Sequence, residues 1–152
     1  MDKRVDYYLA TSSPLMYLGH ERLVAIARRH GASIAVKPVD FDEIFPVSGG
    51  LPLSKRVPQR QAYCLVELRR WSEHLGIPPN LQPRFFPVQR RSRRALDPRG
   101  RRAASAEIAA PYKALTDAAI HRQVFGAPTY IYRDELYRGQ DRLDFLDRAL
   151  AK

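Results

Sequence analysis

Val124-Phe125-Gly126-Ala127-Pro128-Thr129-Tyr130-Ile131-Tyr132 carries the main clue to the fold of this chain. Thr129 to Tyr132 is a β-branched and aromatic run, which reads as a strand, and it is entered through a small residue followed by proline. A turn at Arg133-Asp134-Glu135 leads to a second short strand around Leu136-Tyr137. Gly139-Gln140 then opens a last helix, Asp141 to Ala151, with Leu143, Leu146 and Leu150 on one face. Upstream, Glu107 to Val124 is helical in pattern, with Pro111 suited to a helix start.

At the other end of the chain, Val5 to Leu9 reads as a strand. Ser13-Pro14 follows as a helix start, with Leu15, Leu18, Leu23, Ile26 and Ala27 at helical spacing and Gly31 as a stop. Ser33 to Val39 is the next strand, and a strand–helix–strand unit favours parallel pairing. Asp40 to Pro58 is punctuated by Gly and Pro and reads as a long loop with a turn of helix. Gln59 to Gly76 reads as a helix, and Pro78 to Pro87 as extended chain. This order implies an α/β, thioredoxin-like fold with helical material inserted in its centre. Residues 1–40 and 121–152 form the thioredoxin-like part; 41–120 form the insertion, with 88–106 an Arg-rich irregular segment. In that order the Ala127–Pro128 bond is expected to be cis.

Composition narrows the function classes. The 152 residues suffice for one domain with a real core, and 45% hydrophobic content excludes a disordered chain. No apolar run reaches the ~20 residues of a membrane span, and Met1-Asp2-Lys3-Arg4 leads into a strand rather than a signal core, so a cytoplasmic protein is expected. Of the net charge of +10, the segment from Arg90 to Arg102 supplies most, through seven arginines against Asp97. Basicity is therefore local. That segment has three readings: a shifted reading frame, a solvated linker, or a nucleic-acid arm. The last lacks any interleaved aromatic for base stacking. Cys64 alone excludes a disulfide framework or a cysteine redox pair, and it reads as a small buried hydrophobe. His20, His30, His74 and His121 have no metal-ligand spacing, and Asp40, Asp42 and Glu43 read as a solvated loop, so no metal is expected.

Three motifs carry chemistry. Ser13 at a helix N-terminus is a cap worth roughly 1 kcal/mol, yet the same place stabilises a bound anion or thiolate. Ser13 and Met16 stand where a redox pair would need cysteines, so the chain could hold a foreign thiol, with glutathione the candidate, but not exchange its own. Ala127, before Pro128, would offer its backbone N–H and C=O to an extended ligand, a small version of strand addition. Gly139-Gln140-Asp141 reads as a turn with Asp141 capping the last helix; alternatively it holds a γ-glutamyl end, with Asp141 facing the ammonium.

With these residues in place the chain resembles the 2-hydroxychromene-2-carboxylate isomerases, DsbA-like proteins related to the kappa-class glutathione transferases. The likeness rests on Val5-Asp6-Tyr7-Tyr8, Ser13-Pro14-Leu15-Met16-Tyr17-Leu18-Gly19, Gly49-Gly50-Leu51-Pro52-Leu53, Pro58-Gln59-Arg60-Gln61-Ala62-Tyr63, Arg70-Trp71, Phe85-Phe86-Pro87, Val124 to Thr129 and Gly139-Gln140-Asp141-Arg142-Leu143. It implies a glutathione-dependent isomerase of aromatic catabolism, with a small aromatic carboxylate as substrate and glutathione as cofactor. Ser13 would be the catalytic serine. Ala127, Pro128, Gly139, Gln140 and Asp141 would join it in holding the tripeptide, while Lys37 and Arg84 are candidates for the substrate carboxylate or plain surface charge. The likeness departs in two places. Gly49-Gly50 stands in the region where kappa-class relatives place an Asn, and the helical insertion is shortened between Phe85-Phe86-Pro87 and Tyr112 to Ile120. A shortened insertion should uncover apolar surface, for which a homodimer is one cover, and it leaves a non-catalytic glutathione- or peptide-binding relative as the alternative.

Overall fold

The computed structural model describes residues 2–78 and 106–152. Strand β1 (Arg4–Leu9) is followed by helix α1 (Pro14–Arg29) and strand β2 (Ser33–Pro38). Then come α2 (Phe41–Ser48), a 3-10 turn (Leu53–Lys55), α3 (Pro58–Leu75) and α4 (Ala106–His121). The chain ends with β3 (Thr129–Tyr132), β4 (Glu135–Arg138), a 3-10 turn (Gln140–Arg142) and α5 (Leu143–Leu150). The sheet order is β2-β1-β3-β4, with β1 and β2 parallel and the other neighbours antiparallel. Arg133 and Asp134 both take positive φ, which is what a two-residue turn between right-twisted strands requires.

Strand periodicity divides the core between the two faces of the sheet. Val5, Tyr7 and Leu9 of β1 meet Leu23 and Ile26 of α1, Tyr130, Tyr132 and Tyr137, and the Leu143, Leu146 and Leu150 stripe of α5. On the opposite face Tyr8 and Ile131 pack with Val39, with Phe41 and Ile44 of α2, and with Ala119 and Val124. Phe41 and Ile44, three residues apart, thus anchor α2 to the sheet.

Two local expectations change. The 40–58 stretch, read as a long loop with a turn of helix, contains a two-turn helix. Asp40 caps it by accepting from the Asp42 N–H at 2.9 Å, and Gly49 closes it in the left-handed region, so the Gly and Pro residues that looked like breakers fall at its end. Pro111 lies inside α4 instead of starting it. The arginine-rich stretch, Arg84 and Phe85-Phe86-Pro87 lie outside the described residues. On α3, Tyr63, Leu65 and Val66 are exposed. No helix among the described residues is long and apolar enough to cross a membrane.

Ion pairs tie α1 to α5. Arg22 meets Asp144, while Asp147 receives Arg29 at 2.5 Å and His30 at 2.6 Å. Hydrogen bonds from Arg29 and then His30 hold the Asp147 carboxyl below its ordinary range. A carboxyl lowered by folding stabilises the native state above its unfolded pKa of about 4, and that contribution fades as pH falls through the lower folded value. Asp147→Asn is therefore expected to lower stability modestly at neutral pH, with the difference from wild type closing below about pH 4. Urea unfolding across that range measures it, and a gap that stays constant with pH would show that the pair contributes nothing.

Candidate functional site

Register alone gathers the three motifs. Tyr8 pairs with Thr129 and Thr129 with Arg138, so the end of β1, the start of β3 and the end of β4 lie side by side. The segments attached at that end of the sheet are Ala10 to Pro14, Gly126 to Pro128 and Gly139 to Arg142. Residues more than a hundred positions apart thereby meet at one rim.

Ser13 is the N-cap of α1, in extended backbone conformation, and Pro14 takes the first helical position. Its Oγ accepts from the Met16 N–H at 3.4 Å, and its own N–H donates to the Ala10 carbonyl at 2.9 Å. Capping therefore uses an acceptor lone pair of the hydroxyl and leaves its proton for donation. The helix N-terminus adds a partial positive charge, and no acidic side chain occupies the first turn of α1 to offset it. A half-exposed hydroxyl so placed can donate to an anionic sulfur or oxygen.

The Ala127–Pro128 peptide is cis, as the strand order led us to expect. Among the described residues neither the N–H nor the C=O of Ala127 has a backbone partner, whereas its neighbours are engaged. Thr129 Oγ1 donates to the Gly126 carbonyl at 2.6 Å, and the Pro128 carbonyl accepts from the Gly139 N–H at 2.9 Å. This last bond links the second motif directly to the third.

Gly139 takes φ +108, and a Cβ there would collide with Asp141 Oδ1. Glycine is needed on both counts, since any side chain would displace the Asp141 carboxylate. Asp141 is half-exposed, lies 3.7 Å from the Arg142 guanidinium and caps no helix: the 3-10 turn begins at Gly139 without a side-chain cap. Gln140 is 2% exposed, so its side chain is packed inside rather than offered to a ligand, and among the described residues its Oε1 has no hydrogen-bond partner. Its Cβ packs 2.7 Å from where a Cβ on Gly19 would stand, and the Tyr130 hydroxyl lies 3.2 Å from the same point. Gly19 thus permits α1 and the 139–142 turn to touch, a contact between distant segments that no local pattern announces.

Other polar groups find structural employment. Lys37, a candidate for a substrate carboxylate, is paired with Asp6 at 2.8 Å and lies 5.1 Å over the Tyr8 ring. Glu43 meets Lys113 at 3.4 Å and Asp40 caps α2, so two of the three acids in that stretch have other tasks. Among the described residues no His, Cys, Asp or Glu group could hold a metal ion. Burial pushes the half-buried Cys64 thiol up, away from thiolate reactivity. Burial also pushes the Tyr7 phenol up to about 12 and raises Tyr130 further still, so neither exchanges protons near neutrality. Ser13 is the rim hydroxyl that sits at the α1 N-cap, with its proton not used by the cap.

A model of the DSBA-like thioredoxin domain matches residues 4–97 and 100–151. The chain is similar to the 2-hydroxychromene-2-carboxylate isomerase of Sphingobium xenophagum, 27% identical with 99% of each chain covered. It is also similar to the isomerase of that name from Pseudomonas putida, 26% identical over 97% of this chain and 94% of the relative. The first alignment runs to 195 positions against 152 residues here, so a sizeable stretch of that relative has no counterpart in this chain. A solved 2-hydroxychromene-2-carboxylate isomerase superposes with a TM-score of 0.76 at 25% identity, covering 97% of this chain and 94% of that one.

Proposed function

The chain belongs to the DSBA-like thioredoxin domain family, and from that premise we propose that it is a glutathione-dependent isomerase acting on a hydroxychromene-type aromatic carboxylate. The observation that carries the reading is the rim itself: the Ser13 hydroxyl at the α1 N-terminus stands at the same end of the sheet as the Ala127 backbone, which has no backbone partner among the described residues. The isomerase part of the reading is supported by the relatives' names.

The residues fit a γ-glutamyl tripeptide. Ala127 offers one N–H and one C=O, the pairing an extended peptide needs. Asp141, on the turn that Gly139 and Pro128 hold in place, supplies a carboxylate for an ammonium group. Gln140, beside it, keeps its side chain buried and fixes the turn against Gly19. Bound glutathione would supply a thiolate that adds reversibly to a conjugated double bond, which permits rotation about it without any net oxidation or reduction.

This chain's own part is to keep that thiol ionised near neutral pH and aimed at its target. The α1 N-terminus favours negative charge, and the Ser13 O–H donates to it while its oxygen stays pinned by Met16 N–H. Neither Ser13 nor Met16 carries a thiol, so the site forms no disulfide with its ligand and releases it unchanged. The test is absorbance-monitored isomerisation of a hydroxychromene carboxylate with and without glutathione. Turnover that requires glutathione supports the proposal, while turnover without it overturns the cofactor role. Glutathione binding with no turnover would leave a non-catalytic tripeptide-binding relative.

A further inference from the structure

On the outer side of β4 and α5 lies an open cavity of about 520 Å³, within the usual size range of small-molecule sites. Phe125 and Phe145 line it, each half-exposed, together with Arg138, Arg142, Arg148 and Glu135. The guanidinium of Arg138 lies 5.8 Å from the Phe125 ring centre, and those of Arg148 and Arg142 lie 5.6 and 6.0 Å from that of Phe145. Ser13, Ala127 and Asp141 do not line it.

What sets these arginines apart is their convergence on one cavity with two aromatic rings, since other arginines such as Arg28, Arg69 and Arg133 also form no ion pair among the described residues. Arg22, Arg29, Arg70 and Arg122 each meet a carboxylate within 3.1 Å. Among the described residues Arg142 is the cavity arginine that reaches a carboxylate, Asp141 at 3.7 Å, while Arg138 and Arg148 form no ion pair. The acid in the wall, Glu135, accepts from the Tyr137 hydroxyl at 2.6 Å. Arg138 is moreover seated: a Cβ on Gly126 would fall 2.6 Å from its Nε, so the glycine leaves room for the guanidinium beside Phe125. Cations are held here by ring faces, with their hydrogen-bond donors left for a ligand.

We propose that this cavity is a second binding site, which takes a small aryl anion: a phosphate- or carboxylate-bearing molecule whose head group is gripped by Arg138 and Arg148 and whose ring lies against Phe125 and Phe145. A second copy of the chain is disfavoured as the occupant, because a two-fold contact through this face would set its arginines against each other. The site is independent of the glutathione reading.

Phenyl phosphate is the probe, followed by amide NMR shifts on the full chain, with inorganic phosphate and Ser13→Ala as controls. Saturable shifts at Phe125, Arg138 and Arg148 are expected. Arg138→Gln and Arg148→Gln should each weaken binding about tenfold, and Ser13→Ala should leave it unchanged. Because Arg148 is an exposed position on α5, its substitution tests the grip even where Arg138→Gln disturbs the neighbouring loop. Shifts centred on Ser13 and Asp141, or equal affinity for inorganic phosphate, would overturn the proposal. So would a concentration-dependent dimer in sedimentation that Arg148→Gln dissolves, since the cavity would then be a self-contact.

Discussion

Ser13→Ala is expected to lower glutathione-dependent isomerisation by roughly 10²–10³-fold, the usual cost of deleting one preorganised donor at a reacting anion. The same change costs the folded state only ~1 kcal/mol, because what the fold loses is one N-cap acceptor for the Met16 N–H. The two effects separate because they use different parts of one hydroxyl. The cap needs its lone pair, whereas the ligand sulfur needs its proton. Ser13→Asp keeps a capping acceptor but has no proton to give and adds a negative charge, so it should retain stability and still fail in turnover. A Ser13→Ala protein that turns over at the wild-type rate would reduce Ser13 to a cap.

Gly19→Val is expected to be the most damaging single change to the fold near the rim. Even the first carbon added at Gly19 would lie 2.7 Å from Gln140 Cβ and 3.2 Å from the Tyr130 hydroxyl, and both of those residues are buried. Valine adds two methyl groups to that crowding in the middle of a helix. Overpacking of this kind costs about 1–3 kcal/mol, a fall in melting temperature of roughly 3–12 °C for a chain of this size. The damage should reach the ligand as well. Gln140 belongs to the turn that carries Asp141, so pushing it off α1 moves the carboxylate away from the tripeptide and weakens binding. Thermal unfolding measures the first effect. Unchanged melting of Gly19→Val would show that α1 and the 139–142 turn are not in close contact.

Much of the fold was legible because it is written in local periodicities. The Leu143, Leu146, Leu150 stripe, the alternation through Thr129 to Tyr132 and the Ser13-Pro14 start each announce an element within a few residues. α2 is longer than the turn of helix its sequence suggests, for a local reason too. Its capping acid looked like loop polarity, and Pro46 and Gly49 looked like breaks although they fall in its last turn and at its end. The candidate site was legible in its parts but not in its supports. Nothing near Gln140 in sequence signals that its side chain is buried against Gly19, since that depends on the meeting of two distant segments. The Lys37–Asp6 pair is likewise a product of strand register, and it withdraws a cation that the sequence offered to a substrate. Arg138 and Phe145 carry no signal singly, and they come to line one cavity only once β4 lies beside α5.

Glutathione titration calorimetry on the wild-type chain and on Asp141→Ala tests the central claim most directly. The account predicts saturable one-to-one binding, weakened about tenfold or more in Asp141→Ala through loss of a charge-assisted contact to the ligand's ammonium. A folded wild-type protein that takes up no glutathione, or an Asp141→Ala variant that binds it equally well, would contradict the tripeptide cradle at the rim of this sheet.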